Sequence, residues 1–139
     1  MFTSISARSA AVYKQANLEA SVEMADPHGL IVMLFDGLLR NLRQARVAIQ
    51  NKDIAAKCKQ IASAVRILQE GLIMGLNPEE GGQLAQNLND LYAYCVLRLV
   101  HANSKNDVDA LDEVEQLILK VADGWKQIAG KGPAYLRAV

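Results

Sequence analysis

Between positions 54 and 72 the apolar residues fall at Ile54, Cys58, Ile61, Val65, Leu68 and Leu72. Intervals of four, three, four, three and four place them on one stripe of a helix, whereas a strand would split them between two faces. A chain with that period folds as an amphipathic helix packed along one side. Asp53 stands where a carboxylate accepts from the free amides of a first turn, and the pattern ends near Met74. The same period returns at Leu84, Leu88, Leu91, Cys95, Leu99 and Ala102, after Asn77-Pro78 and a flexible Gly81-Gly82 turn, and it stops near Lys105. It returns again at Leu111, Val114, Ile118, Val121, Trp125 and Ile128, with Asp107 as N-cap and Gly130 and Pro133 as the stop.

An earlier helix, from Asp26-Pro27 to about Gln50, has a different pattern. Ile31, Leu34, Phe35, Leu38, Leu39, Leu42, Ala45 and Ile49 sweep about half of the helical wheel, wider than the roughly 100° stripe that one core face requires. Part of that surface is expected to receive a second partner. Four helices with short connections predict an all-α, antiparallel four-helix bundle, because short links make successive helices neighbours. A chain of 139 residues fits one domain. The bundle is placed at residues 26–130, preceded by an arm or short helix over 1–25 and followed by a loose tail over 131–139.

The composition, 51% hydrophobic and 22% charged, supports a buried core. Fifteen Lys and Arg balance fifteen Asp and Glu, so no global field recruits nucleic acid. No apolar run approaches the ~20 residues that span a bilayer, and Met1 to Ala10 lacks a secretory pattern. The expectation is a cytoplasmic protein with no membrane insertion. Charge is uneven along the chain. Residues 28–52 carry Arg40, Arg43, Arg46 and Lys52 against Asp36, whereas residues 107–128 carry six acids against Lys120 and Lys126. Opposite faces of that kind favour correct helix pairing or rim a docking groove.

Catalytic and metal-binding patterns do not emerge. A di-iron bundle needs Glu three residues before His on two helices, but Ala25 and Arg98 precede His28 and His101 at that spacing. Cys58 and Cys95 lack Cys-x-x-Cys spacing and read as buried thiols on helical stripes. His28, in a first helical turn, reads as a polar surface residue or a contributor to the helix cap. His101 is the one candidate for a histidine phosphotransfer bundle. No cofactor is expected, and the chain reads as a non-enzyme. What remains is apolar surface beyond the core stripes: Ala93, Val96, Leu97 and Val100 on the third long helix, and Ile67 and Met74 on the second. Such residues receive a partner's helices, or are covered by the N-terminal arm or a second copy of the chain.

A family resemblance rests on ordered segments. Asp26-Pro27-His28-Gly29-Leu30-Ile31-Val32-Met33-Leu34-Phe35-Asp36-Gly37, then Gly81-Gly82-Gln83-Leu84-Ala85-Gln86-Asn87-Leu88 with Leu91-Tyr92-Ala93-Tyr94, and finally Asp112-Glu113-Val114 with Trp125, resemble the flagellin-specific export chaperones of the FliS family. The similarity runs from about Tyr13 to Ile128. It implies a helical-bundle chaperone for the C-terminal region of flagellin, preventing early polymerisation and aiding delivery to the flagellar type III export apparatus, with the export gate as a further partner. It also implies that Tyr13, before the first long helix, lies over or beside the client groove. Phe35 stands where the family more often has tyrosine, and Ala10 where an aliphatic residue often precedes the arm's tyrosine. The expected partner-binding set is Tyr13, Ile31, Phe35, Leu39, Ile67, Val96, Leu97 and Val100. A helical adaptor for another export client is the remaining alternative.

Overall fold

The computed structural model describes residues 27–127. Helix α1 spans Pro27–Gln50. Helix α2, Ile54–Arg66, continues without a break into a π-helical segment, Ile67–Ile73. Helix α3 spans Pro78–Lys105 and α4 Val108–Gln127. Among the described residues these elements form an all-α bundle without strands.

The first and third connections use one device. Lys52 and Asn106 have left-handed backbones, with φ of 58° and 53°, and each is followed by an aspartate. At the end of α1 the amides of Lys52 and Asp53 bond back to the carbonyls of Ile49 and Ala48, which closes the helix in a Schellman arrangement. Asp53 then accepts from the Ala56 amide at 3.1 Å and opens α2. At the end of α3 the Asp107 amide bonds to the Ala102 carbonyl, and the Asp107 carboxylate accepts from Ala110 at 3.2 Å. Both aspartates expected as caps are caps. The Asn77 side chain accepts from Glu79 and Glu80 and starts a single turn. Gly82, at φ 54° and ψ −129°, then breaks α3 in a region essentially closed to other residues. The expected glycine turn is therefore present, one turn inside the helix.

Cross-links establish the antiparallel order. Asn41 of α1 donates to Ser63 of α2 at 2.9 Å, Lys57 of α2 reaches Asn103 and Asn106 at the end of α3, and Arg98 of α3 pairs with Glu113 of α4 at 2.7 Å. Arg43 and Arg46 of α1 meet Glu115 and Asp112 of α4, and at the other end Lys126 approaches Asp36. Helix α1 packs on α2, the π segment and α4, while α3 packs on α4, the π segment and α2. Helices α1 and α3 thus occupy opposite corners.

The core combines Leu34, Phe35, Leu38 and Leu42 of α1 with Ile61, Leu68, Leu99, Leu111, Val114 and Ile118. Each large side chain so buried contributes about 1.5–3 kcal/mol. Gly71 lies against Leu34, where an added Cβ would stand 3.2 Å from the Leu34 Cδ1. The π segment begins four residues earlier and carries both Ile67 and Leu68 into the core. This corrects the expectation that Ile67 points outward: its backbone is still α-helical and its amide bonds to the Ser63 and Ala64 carbonyls, so it continues the inward face of Lys57, Ile61 and Ala64.

Other readings are corrected by packing. On α3 the buried stripe is Ala85, Tyr92, Cys95, Leu99 and Ala102, with Leu88 and Leu91 half-buried and Leu84 exposed. On α2, Lys57 takes the inward position and leaves Cys58 exposed, whereas Cys95 is buried as expected. The buried ammonium donates to the Asn103 carbonyl at 2.9 Å and to Asn106 Oδ1 at 2.7 Å, at the negative end of the α3 dipole. His28 stacks on Trp125 with ring centroids 4.7 Å apart, and the Trp125 indole donates to its carbonyl, so it packs the end of the α1–α4 seam.

Lys57→Ala should lower unfolding stability in urea by about 1–3 kcal/mol by leaving the Asn103 carbonyl without its donor; an unchanged denaturation midpoint would contradict that role. Burial pushes the Glu115 carboxyl upward, but hydrogen bonds from Arg46 and Arg43, with their charges, outweigh it and hold its pKa below the ordinary value. Its stabilising contribution is present above the unfolded carboxylate pKa of about 4.3 and is lost as pH falls through the lower folded value. Glu115→Gln should therefore be less stable than the parent at pH 7, with the gap narrowing in acid. A gap of constant size down to pH 2 would sink this assignment.

Candidate functional site: an apolar face on α2 and α3

Among the described residues the most exposed large apolar side chains are Leu97, 69% exposed, Ile54, 68%, and Val100, 56%. Leu97 and Val100 share the outer side of α3 with Ala93, while Val96 is half-buried beside them. The sulfur of Cys58 lies 3.6 Å from Asn103 Oδ1. With Lys57 also bonded to Asn103, that contact sets the register of α2 against α3. In this antiparallel register Ala62 and Val65 of α2 run alongside Val100 and Val96 of α3. The floor is made by small or β-branched groups, and Leu97 and Ile54 rise from it. Beyond Val65 the face leads towards a shallow cleft of about 240 Å³ lined by Ile73, Leu76, Pro78 and Ala85.

The expected partner-binding residues therefore divide. Val96, Leu97 and Val100 lie together on this face. Ile31, Phe35, Leu39 and Ile67 do not, for all four belong to the core cluster, Phe35 with 1% exposure and Ile67 with none. The expectation that they are outer surface is corrected. Helix α1 is walled by α2 and the π segment on one side and by α4 on the other, so the bundle itself consumes its wide apolar face. Tyr13, the arm over 1–25 and the tail over 131–139 lie outside the described residues. Ile54 and Cys58, expected on the core stripe, are exposed instead. The signal that distinguishes them is the lysine between them, since one inward Lys57 rotates the helix about its axis.

The α3–α4 edge of the same region is polar and paired. The Tyr94 hydroxyl donates to Glu113 at 2.5 Å and Arg98 donates to its other oxygen at 2.7 Å. Those two hydrogen bonds hold the Glu113 pKa below its ordinary value, and the same carboxylate raises that of Tyr94. His101 Nε2 lies 3.1 Å from Asp107, so a carboxylate occupies the place where a phosphoryl group would have to arrive, an unfavourable start for phosphotransfer. Among the described residues no three His, Cys, Asp or Glu side chains gather as a metal site, and no helix is long and apolar enough to cross a membrane.

A sequence model of the family described as flagellar protein FliS matches residues 9–132. The chain belongs to the FliS family. It is 44% identical to the flagellar secretion chaperone FliS of Salmonella typhimurium over 86% of this chain and 88% of that one. To the flagellar secretion chaperone FliSB of Pseudomonas aeruginosa it is 45% identical over 84% and 92%. To FliS of Escherichia coli K12 it is 39% identical over 87% and 89%. Membership supports a chaperone of flagellar secretion, and an uncovered apolar face on a closed bundle suits such a protein, since clients are held by burying apolar surface.

Leu97→Asp and Val100→Asp should each change stability by less than about 0.5 kcal/mol, as substitutions at exposed positions do. Phe35→Asp should unfold the bundle by placing a carboxylate in the core. Thermal melts followed by circular dichroism separate the two classes, and cooperative loss of helicity in the Leu97 or Val100 variants would show that this face belongs to the core.

Proposed function

We propose that this chain is a cytoplasmic chaperone that binds the C-terminal region of flagellin, prevents its premature polymerisation and aids its delivery to the flagellar type III export apparatus, without catalytic chemistry or a cofactor. The observation that carries this reading is the uncovered face formed by Ile54, Val96, Leu97 and Val100 on a bundle whose core is otherwise closed. A client segment that folds only on the chaperone loses conformational freedom, and burial of apolar surface must offset that cost. A long shallow face suits such a segment better than an enclosed pocket. The flagellar secretion names of the relatives and the resemblance of the Asp26–Gly37 and Gly81–Tyr94 segments support flagellin as the client. The same resemblance makes Tyr13 a candidate client-binding residue, and the flagellar export gate is a further partner.

Calorimetric titration with a peptide spanning the last ~40 residues of flagellin, a length of two to three ordinary helices, tests this. Saturable binding with a clearly negative heat-capacity change is expected, weakened about tenfold or more by Leu97→Asp. A folded chaperone that does not bind the peptide would instead point to another export client.

A further inference from the structure

The two ends of the α2–α3 seam are closed by different forces. At the π end Ile67, Leu68, Gly71 and Leu72 are all buried, and the short connection to α3 follows at once. At the other end, of residues 54–60 only Lys57 is buried. Opposite them, Val100, Ser104, Lys105 and Asn106 at the end of α3 are exposed. What joins the two helices there is polar. Lys57 Nζ donates to the Asn103 carbonyl and to Asn106 Oδ1, and the Cys58 sulfur lies 3.6 Å from Asn103 Oδ1. Lys57 is 7% exposed, yet no carboxylate pairs with its ammonium among the described residues.

We infer that this seam opens locally at its Lys57 end while its π end stays shut, and that Lys57 is the latch. Segments that bury few apolar side chains part from their neighbours at a lower free energy than global unfolding requires. A buried ammonium held by neutral acceptors sharpens the effect. Once released it regains its water, which offsets part of the loss of two hydrogen bonds. An apolar side chain in its place would gain nothing on opening. The acceptors are a carbonyl near a helix C-terminus and an amide side chain, so closing again needs no counter-ion. Opening widens the uncovered face only where Ile54 and Val100 stand. This use of the latch rests on the chaperone reading above, whereas the opening itself is a property of the free chain.

Amide hydrogen exchange of the full chain in low urea reads the opening. The amides of Lys57, Ile61 and Ala102 should exchange about tenfold or more faster than those of Leu68, Leu72 and Tyr92, at rates that urea hardly changes because little surface is exposed. Asn103→Cys gives Cys58 a partner across the seam and leaves the carbonyl of that position in place for Lys57. Oxidised to a disulfide with Cys58, this variant should exchange the same amides only through global unfolding, and reduction should restore the fast local exchange. Lys57→Met, without any cross-link, should raise the local rate about tenfold. Equal and steeply urea-dependent exchange at both ends of the seam would overturn the latch, as would a local rate unchanged in Lys57→Met. The C-terminal flagellin peptide, titrated into the oxidised and reduced forms of Asn103→Cys, tests the use of the opening. Binding about fivefold or more weaker in the oxidised form is expected, and equal binding would overturn that use. A reduced form that opens as described but binds no peptide would sink the chaperone reading and leave the latch standing.

Discussion

The structure depends on covering a helix that is apolar over half its circumference. Leu34, Phe35, Leu38 and Leu42 of α1 are almost wholly buried, and no single neighbour can wrap that width. Helix α1 therefore lies between α2 with its π segment and α4. The packing leaves α3 at the opposite corner, where its inner stripe is covered and its outer side is not. The uncovered face is thus a consequence of where the widest hydrophobic surface had to be placed.

Two local devices make this arrangement reproducible. A left-handed residue followed by a capping aspartate turns the chain sharply after α1 and again after α3. Lys57 then ties the start of α2 to the end of α3 through bonds to Asn103 and Asn106. Opposite charges on α1 and α4, seen in the sequence as a basic and an acidic segment, meet as Arg43 and Arg46 with Asp112 and Glu115. Buried or half-buried pairs of this kind add little net stability but disfavour wrong partners and shifted registers.

An export chaperone must expose apolar surface without condensing on itself. Among the described residues most large exposed apolar side chains lie on α2 and α3, with Val47 of α1 and Met74 outside them. Lys59 lies at the edge of that face, and the paired Arg98, Tyr94 and Glu113 bound it on the α4 side. A narrow apolar strip between charged borders accepts an amphipathic helix more readily than another broad apolar patch.

The sequence by itself determined the helices, their ends and their antiparallel order, because periodicity, aspartate caps and short connections act through near neighbours in the chain. It also carried the family, through ordered segments spread over most of its length. Among the residues expected at the partner face, Val96, Leu97 and Val100 are legible as lying outside the buried stripe of α3. Ile31, Phe35 and Leu39 were not, since a helix apolar over half its surface has the same pattern whether its second side meets a client or another part of the bundle. Tertiary structure alone decided that these three are core, that Ile67 joins them on the inward face of α2, and that an inward Lys57 leaves Ile54 and Cys58 exposed. Each outcome depends on which helix lies alongside, and sequence periodicity records the presence of an apolar face without recording what covers it.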